Sequence, residues 1–393
     1  MKPRSILKVR PLVALPILFL VASSAGAQHV DVHGRGVIHV STTGELYAAV
    51  NDPDNAGVRI VIAPGTYFLD PTQLNGGRLE LQQDMEIVGF TGDASAVIID
   101  AANLPEDSYH VDLGLTGAVR MGRGSNALEW MTVQSANPPA TGAVETDLLG
   151  VGASSVRVAH IIAQGNQIGI NFRNPPTLNG RLLRGVAEDN VLRHNTGQPN
   201  GTGLRVVNSG GVTRATAWVT LRRNRSYGNL RGFFASNLNS SGNVILIESR
   251  EDEFTNNIAG CELQAGTSTS GVANSNLMVF DAEHDVISDN DGPPGHPGPS
   301  GLGAFGADST VAPNLTSANL LQIALTDVRF SGNHPDTDVL AWGAHGNDGV
   351  FPGTDNHVEL LLKRISGHAA LEIVDSDPPD PKGTNTVVVR RAF

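Results

Sequence analysis

Ten arginines stand between Arg173 and Arg231 with only two acids, Glu188 and Asp189, while the stretch from Glu248 to Asp291 holds ten acids and one arginine, Arg250. Arginines grip carboxylates or sulfates through a planar fork, and carboxylates at this density suit a hard cation or an acid and base pair. Counted back from a recurring asparagine, Asp252 and Asp285 share one offset, five residues, and Glu248 and Asp281 another, nine residues. On stacked coils each pair would occupy adjacent rungs, where opposed like charges need a cation, a shared proton or a role. The expected catalytic group is Asp252, Asp285, Arg223 and Arg250. Arg222, Arg225 and an outward Trp218, whose indole can stack on a sugar ring, are the expected substrate contacts. Glu248, Asp281 and Asp285 are the expected ligands if Ca²⁺ binds. A structural account competes. Six residues before each asparagine the series His160, Asp189, Arg223, Glu251, His284, Asp327 mostly alternates in sign, which gives a ladder of surface ion pairs. Glu188 over Arg222 and Arg225 over Glu253 would extend it.

The elements that position these residues are repeats. The anchors are Asn166, Asn195, Asn229, Asn257, Asn290, Asn333 and, by substitution, His368, spaced 29, 34, 28, 33, 43 and 35 residues apart. Ten residues before them stand Val156, Gly185, Val219, Ile247, Phe280, Ile323 and Val358. Mostly apolar residues also stand eight and three before, and a glycine opening another short apolar run follows most anchors, as in Gly169-Ile170-Asn171-Phe172. Each unit reads as two or three short strands with one apolar face, too small to bury that face alone. An irregular period with a fixed local pattern predicts a solenoid whose loops vary in length. Thr42-Thr43-Gly44-Glu45 is a capping box ahead of a short helix, Leu46 to Val50, which would cover the first coil.

Lys2, Arg4, Lys8 and Arg10, the apolar run Pro11 to Ala22 and the small residues Ala25-Gly26-Ala27 read as a signal peptide, 1–27, cleaved after Ala27 and followed by one domain, 28–393. The run is too short to span a membrane. Removing those four cations leaves 23 Lys and Arg against 39 Asp and Glu, which disfavours a nucleic-acid partner. The expected protein is a secreted or periplasmic monomer. Cys261 alone allows no internal disulfide, so stability must come from the stacked core and its hydrogen bonds.

Val58-Arg59-Ile60-Val61-Ile62, the turn Ala63-Pro64-Gly65-Thr66-Tyr67, Leu79-Glu80-Leu81, Met85-Glu86-Ile87-Val88-Gly89 and Val97-Ile98-Ile99-Asp100 resemble the opening strands of the right-handed parallel β-helix superfamily typified by pectin lyases. The resemblance covers roughly residues 40 to 375. It implies an all-β fold, a single-stranded right-handed parallel β-helix of about ten coils with a short N-terminal capping helix. The fold hosts lyases, hydrolases, epimerases, esterases and non-catalytic adhesins, so it leaves the chemistry open. Uronate lyases of this kind imply a calcium ion on the substrate carboxylate and a basic side chain that removes a proton. Two functions stand side by side at this point: a polysaccharide lyase or glycosidase acting on an acidic glycan, and a non-catalytic solenoid for cell-surface binding or adhesion.

Overall fold

The computed structural model describes residues 36–104, 116–136, 141–149, 152–176, 178–197, 201–269, 271–292, 300–309, 316–334, 338–346, 353–367, 371–377 and 384–392. The expected leader and His368 lie outside them. One coil shows how the sequence folds. Ala153–Ala159 lies in a first sheet, Ile162–Gln164 in a second and Ile168–Asn174 in a third; Leu182–Glu188 then returns to the first, parallel to Ala153–Ala159. Val156, Val158, Ala163, Ile170 and Phe172 point inward and are fully buried. Among the described residues the three sheets hold 12, 10 and 11 strands, and the first and second run in chain order. Neighbouring strands pair in parallel, coil on coil. Crossovers between parallel strands are right-handed because strand twist favours that hand. The fold is a right-handed parallel β-helix, with twelve rungs in its first sheet.

At the first coil the helix Thr43–Val50 carries the reciprocal cap. Glu45 N–H donates to Thr42 Oγ1 at 3.2 Å, and Thr42 N–H donates to Glu45 Oε2 at 3.1 Å. Leu46, Tyr47 and Val50 are buried beneath it, and Tyr47 Oη donates to Gly77 O at 2.6 Å. In the inner column of the first sheet, Gly185 interrupts the large apolar residues because a Cβ there would stand 2.7 Å from the Phe172 ring.

Three bends close each coil, and each uses a residue with left-handed backbone followed by one whose side chain turns inward. At the anchor bend the left-handed residues are Gly165, His194, Gly228, Asn256, Asp289 and Gly332, so that conformation belongs to the residue before each anchor asparagine and not to the asparagine itself. The anchors form a file. Nδ2 of Asn166, Asn195, Asn229, Asn257 and Asn290 each donates to Oδ1 of the next anchor at 2.9–3.2 Å. A second file, Asn243, Asn276, Asn319, Asn356 and Asn385, closes the bend before the first sheet, with Nδ2 to Oδ1 distances of 3.0–3.1 Å along its last four members. Past Asn333 the register differs from the spacing argument. Ile323 pairs with Leu360 and Phe330 with Gly367, so the last repeat sits two residues later than a His368 anchor implies. A two-residue slip preserves the face, which is why the apolar pattern did not reveal it.

The bend between first and second sheets carries a third file, Asn190, Asn224, Asp252 and Asp285, and here acids replace amides. Asp252 Oδ1 accepts the Asn224 N–H at 2.7 Å and Nδ2 at 2.8 Å, and Oδ2 accepts Ser249 Oγ at 2.7 Å. The Asp252 N–H donates to Asp285 Oδ1 at 2.9 Å, while Asp285 Oδ2 is buried without a partner. Burial pushes the Asp252 carboxyl up to about 6; burial and then the Asp252 charge push Asp285 well above its usual range.

Two predictions follow from the files. Asn229→Ala removes donors to Leu192 O and Asn257 Oδ1 and the acceptor of the Asn195 N–H. It should cost about 2–4 kcal/mol in denaturant unfolding, at the scale of two orphaned buried groups. The Asp pair retains protons that the unfolded chain releases near pH ~4, so stability should fall as pH rises from there through about 6 and beyond. Asp252→Asn supplies an Nδ2 donor for Asp285, as Asn224 does for Asp252, and should raise stability at pH 7 by about 1–3 kcal/mol. Thermal unfolding against pH checks this; a lower melting temperature for Asp252→Asn at pH 7 would refute it.

Candidate binding face on the third sheet

The residues singled out by charge are real neighbours, but they do not form one site. Trp218 faces outward, 37% exposed, with Nε1 donating to Glu248 Oε1 at 3.3 Å and the Arg184 guanidinium 5.8 Å from its ring. Glu248 and Asp281 pair on adjacent rungs of the first sheet, as their equal offsets predicted. Their repulsion is relieved locally: Arg250 Nη2 holds Asp281 at 2.7 Å and its Nε holds Glu283 at 3.2 Å. Arg223, on the left-handed bend, bridges Glu188 at 2.6 Å and Asp189 at 2.8 Å, and Arg225 meets Glu253 at 3.0 Å. Arg222 lies between Glu188 and Arg250 in register. These are surface ion pairs of small individual worth.

Asp252 and Asp285 require a correction. They lie inside the wall, 0% and 1% exposed, and cannot join Arg223 and Arg250 on the outside as a catalytic group. Nor do Glu248, Asp281 and Asp285 converge on a calcium site, since the first two face outward and the third inward. No group of three or more His, Cys, Asp or Glu among the described residues is arranged for a metal ion. The misplacement has a local cause. In Val244–Arg250 the odd-numbered residues Ile245, Ile247 and Ser249 point in, and simple alternation would send 252 outward; the left-handed Glu251 reverses the phase and turns Asp252 inward.

A denser constellation lies on the outer face of the third sheet. With Leu79, Val119, Val144, Ile170, Leu204, Phe233 and Cys261 in the core, the next residue of each strand points away from it, although Glu80, Arg120, Glu145, Asn171 and Arg205 are only 0–5% exposed. The resulting column runs Glu80, Arg120, Glu145, Asn171, Arg205, Phe234, Glu262. Arg120 is 1% exposed and is held by Asp147 at 2.6 Å and, at shorter range, by Glu80. Arg173 Nη1 meets Glu145 Oε1 at 3.1 Å, and its Nε donates to Ser209 Oγ at 2.9 Å. Phe234 lies between two guanidinia, Arg205 at 5.5 Å and Arg231 at 5.1 Å, and Arg231 Nε bonds Glu262 Oε2 at 2.5 Å.

The partnering along this column is uneven. Arg120 is fully satisfied: burial would lower its pKa, but Asp147, Glu80 and Glu145 outweigh that and raise it. Arg205, 5% exposed, is not. Its Nε and Nη1 have no partner, and burial, then the Arg173 charge, lowers its pKa to about 9. On the two preceding rungs Asn171 Oδ1 and Glu145 Oε2 are also buried without partners, and burial, then Asp147, pushes Glu145 up to about 7. Arg205 is thus a nearly buried cation with free donors, while Asn171 and Glu145 are 0% exposed and closed to solvent.

No family model matches the chain, and no curated protein matches its sequence. Among solved structures it is similar to the A-module of mannuronan C-5 epimerase AlgE4 from Azotobacter vinelandii, with a TM-score of 0.42 and 15% identity over 88% of this chain and 93% of that one. The A-module of AlgE6 from the same organism gives 0.40 and 15% over 89% and 95%. Pectate lyase Pel9A gives 0.38 and 13% over 88% and 80%. The likeness is one of chain winding, and no residue role is carried across from it. Three parallel sheets wound coil on coil make the chain a right-handed parallel β-helix.

Proposed function

We propose that this is an exported protein that binds an acidic polysaccharide along the outer face of its third sheet, with Arg205 gripping a sugar carboxylate. The observation that carries the reading is the buried Arg205 guanidinium with two unpartnered donor atoms, on a sheet where Arg120, Arg173 and Arg231 have acids, although Arg78, 0% exposed just ahead of Leu79, also keeps Nε and Nη2 unpartnered. A buried unpaired charge is costly, so a ligand that supplies the missing acceptors gains the relief of that cost. Polysaccharide processing by the similar folds AlgE4 and Pel9A accords with this reading. Export rests on the leader-like sequence of residues 1–27.

The second reading, a non-catalytic adhesion solenoid, draws on the surface acids and arginines that neutralise one another in pairs such as Arg223 with Asp189 and Arg250 with Asp281.

Incubation with a panel of uronate polymers, with and without Ca²⁺, separates these readings. Unsaturated ends show lysis, new reducing ends show hydrolysis, and retention without either shows binding alone. Arg205→Met should weaken uronate binding about 10- to 100-fold, the scale of a lost charge-assisted hydrogen bond. The melting temperature should hold or rise, because a buried unpaired charge has been removed. Uronate affinity unchanged in Arg205→Met would overturn the carboxylate grip.

A further inference from the structure

On the same sheet, five residues along the strand from Leu340, where the polar column's register ends, a histidine stands on an aromatic platform. His345 pairs in register with Asp308, and that carboxylate with Thr267. His345 Nδ1 lies 3.0 Å from Asp308 Oδ1, and Gln264 Nε2 donates to Asp308 Oδ2 at 2.9 Å. A carboxylate can only accept, so Asp308 fixes the imidazole proton on Nδ1 and leaves the Nε2 lone pair available. The imidazole packs on Trp342, ring centres 4.1 Å apart, and Phe305 stands edge-on to that indole at 5.5 Å. Trp342 Nε1 is buried without a hydrogen-bond partner.

These groups are continuous with the arginine column. Gln264 Nε2 also donates to Glu262 Oε1 at 2.6 Å, and Glu262 holds Arg231, which covers Phe234 beside Arg205. Through those rungs Leu340 lies four strands from Arg205, about 19 Å at the usual strand spacing, and His345 stands five residues farther along the same strand.

We propose that Trp342, His345 and Asp308 form a second subsite, for a hydroxylated sugar ring: the indole face stacks on the ring, and Trp342 Nε1–H and His345 Nε2 donate to and accept from its hydroxyls. Asp308 is a positioning residue that holds the imidazole tautomer. The inference rests on the acidic-glycan reading above and deepens it, because a ligand touching both Arg205 and Trp342 has to be an oligomer. Indole and imidazole carry no charge preference for the ring they hold, so this end would accept neutral sugar residues as well as acidic ones.

The test titrates the full protein with a uronate disaccharide, a long uronate oligomer and a neutral oligosaccharide, followed by calorimetry and tryptophan fluorescence. Trp342→Phe with His345→Gln removes the indole N–H and the imidazole while leaving an aromatic ring and a neutral polar group in their places, and should lower affinity for the long oligomer about tenfold, leaving the disaccharide unaffected. Arg205→Met should weaken both uronates. Melting temperatures within a few degrees of the parent confirm that both proteins are folded. If the paired variant binds the long oligomer as the parent does while Arg205→Met weakens it, the subsite is wrong and the acidic-glycan reading survives. If Arg205→Met changes nothing while the paired variant weakens long or neutral oligosaccharides, the subsite stands and the carboxylate grip falls. Absence of binding to all three ligands overturns both.

Discussion

Side-chain amides stacked in files at the bends are what the rest of this molecule depends on. A parallel β-helix satisfies its strands by pairing coil to coil, but a bend exposes backbone groups that the neighbouring bend cannot fully reach. Here an inward asparagine serves each bend twice. Asn195 Nδ2 donates to Ala163 O of the preceding coil and to Asn229 Oδ1 of the next, while its Oδ1 accepts from Asn166. Every anchor in the file is buried, so none of these bonds competes with water. Loops between coils can then vary in length without disturbing the register, and those loops give the repeat its irregular period.

Outside this frame the three sheets have different surfaces. The first and second present pairs of opposite charge to solvent, such as Arg225 with Glu253, and these compensate one another. The third presents charges that are themselves nearly buried, from Arg120 at 1% to Arg205 and Arg173 at 5% exposure. In that setting a partner decides whether a charge is tolerated, and the column passes from the satisfied Arg120 to the unsatisfied Arg205 within three rungs. On the proposed reading, that contrast favours the third sheet over the acidic coils of the first as the place for an anionic ligand.

Much of the fold was legible because its signals are local and repeated: the asparagine with its apolar positions ten, eight and three residues earlier, and the reciprocal cap at Thr42 and Glu45. The last repeat slipped by two residues because faces recur with period two. The acid pair was placed on the wrong side because Glu251, a residue with no sequence signal for left-handed backbone, inverts the alternation between Ser249 and Asp252. The third-sheet column escaped for another reason. Arg120, Glu145, Asn171, Arg205, Phe234 and Glu262 share a position but no residue type, and the loops ahead of each strand differ in length. The available clue was the residue after each inward apolar one, Asn171 after Ile170 and Arg205 after Leu204, read as a column in its own right.

The files also have a direction. In each of the three, Nδ2 of one coil points to Oδ1 of the next coil in sequence, so the amide dipoles add along the axis as peptide dipoles add along an α-helix. The acids of the third file lie at its donor-facing end, where Asp252 receives both the N–H and the Nδ2–H of Asn224, much as an anion sits at a helix N-terminus. An acid at the opposite end, in place of Asn190, would present acceptor to acceptor, toward Asn224 Oδ1. Polarity of the amide file thus determines which of its two ends can carry negative charge.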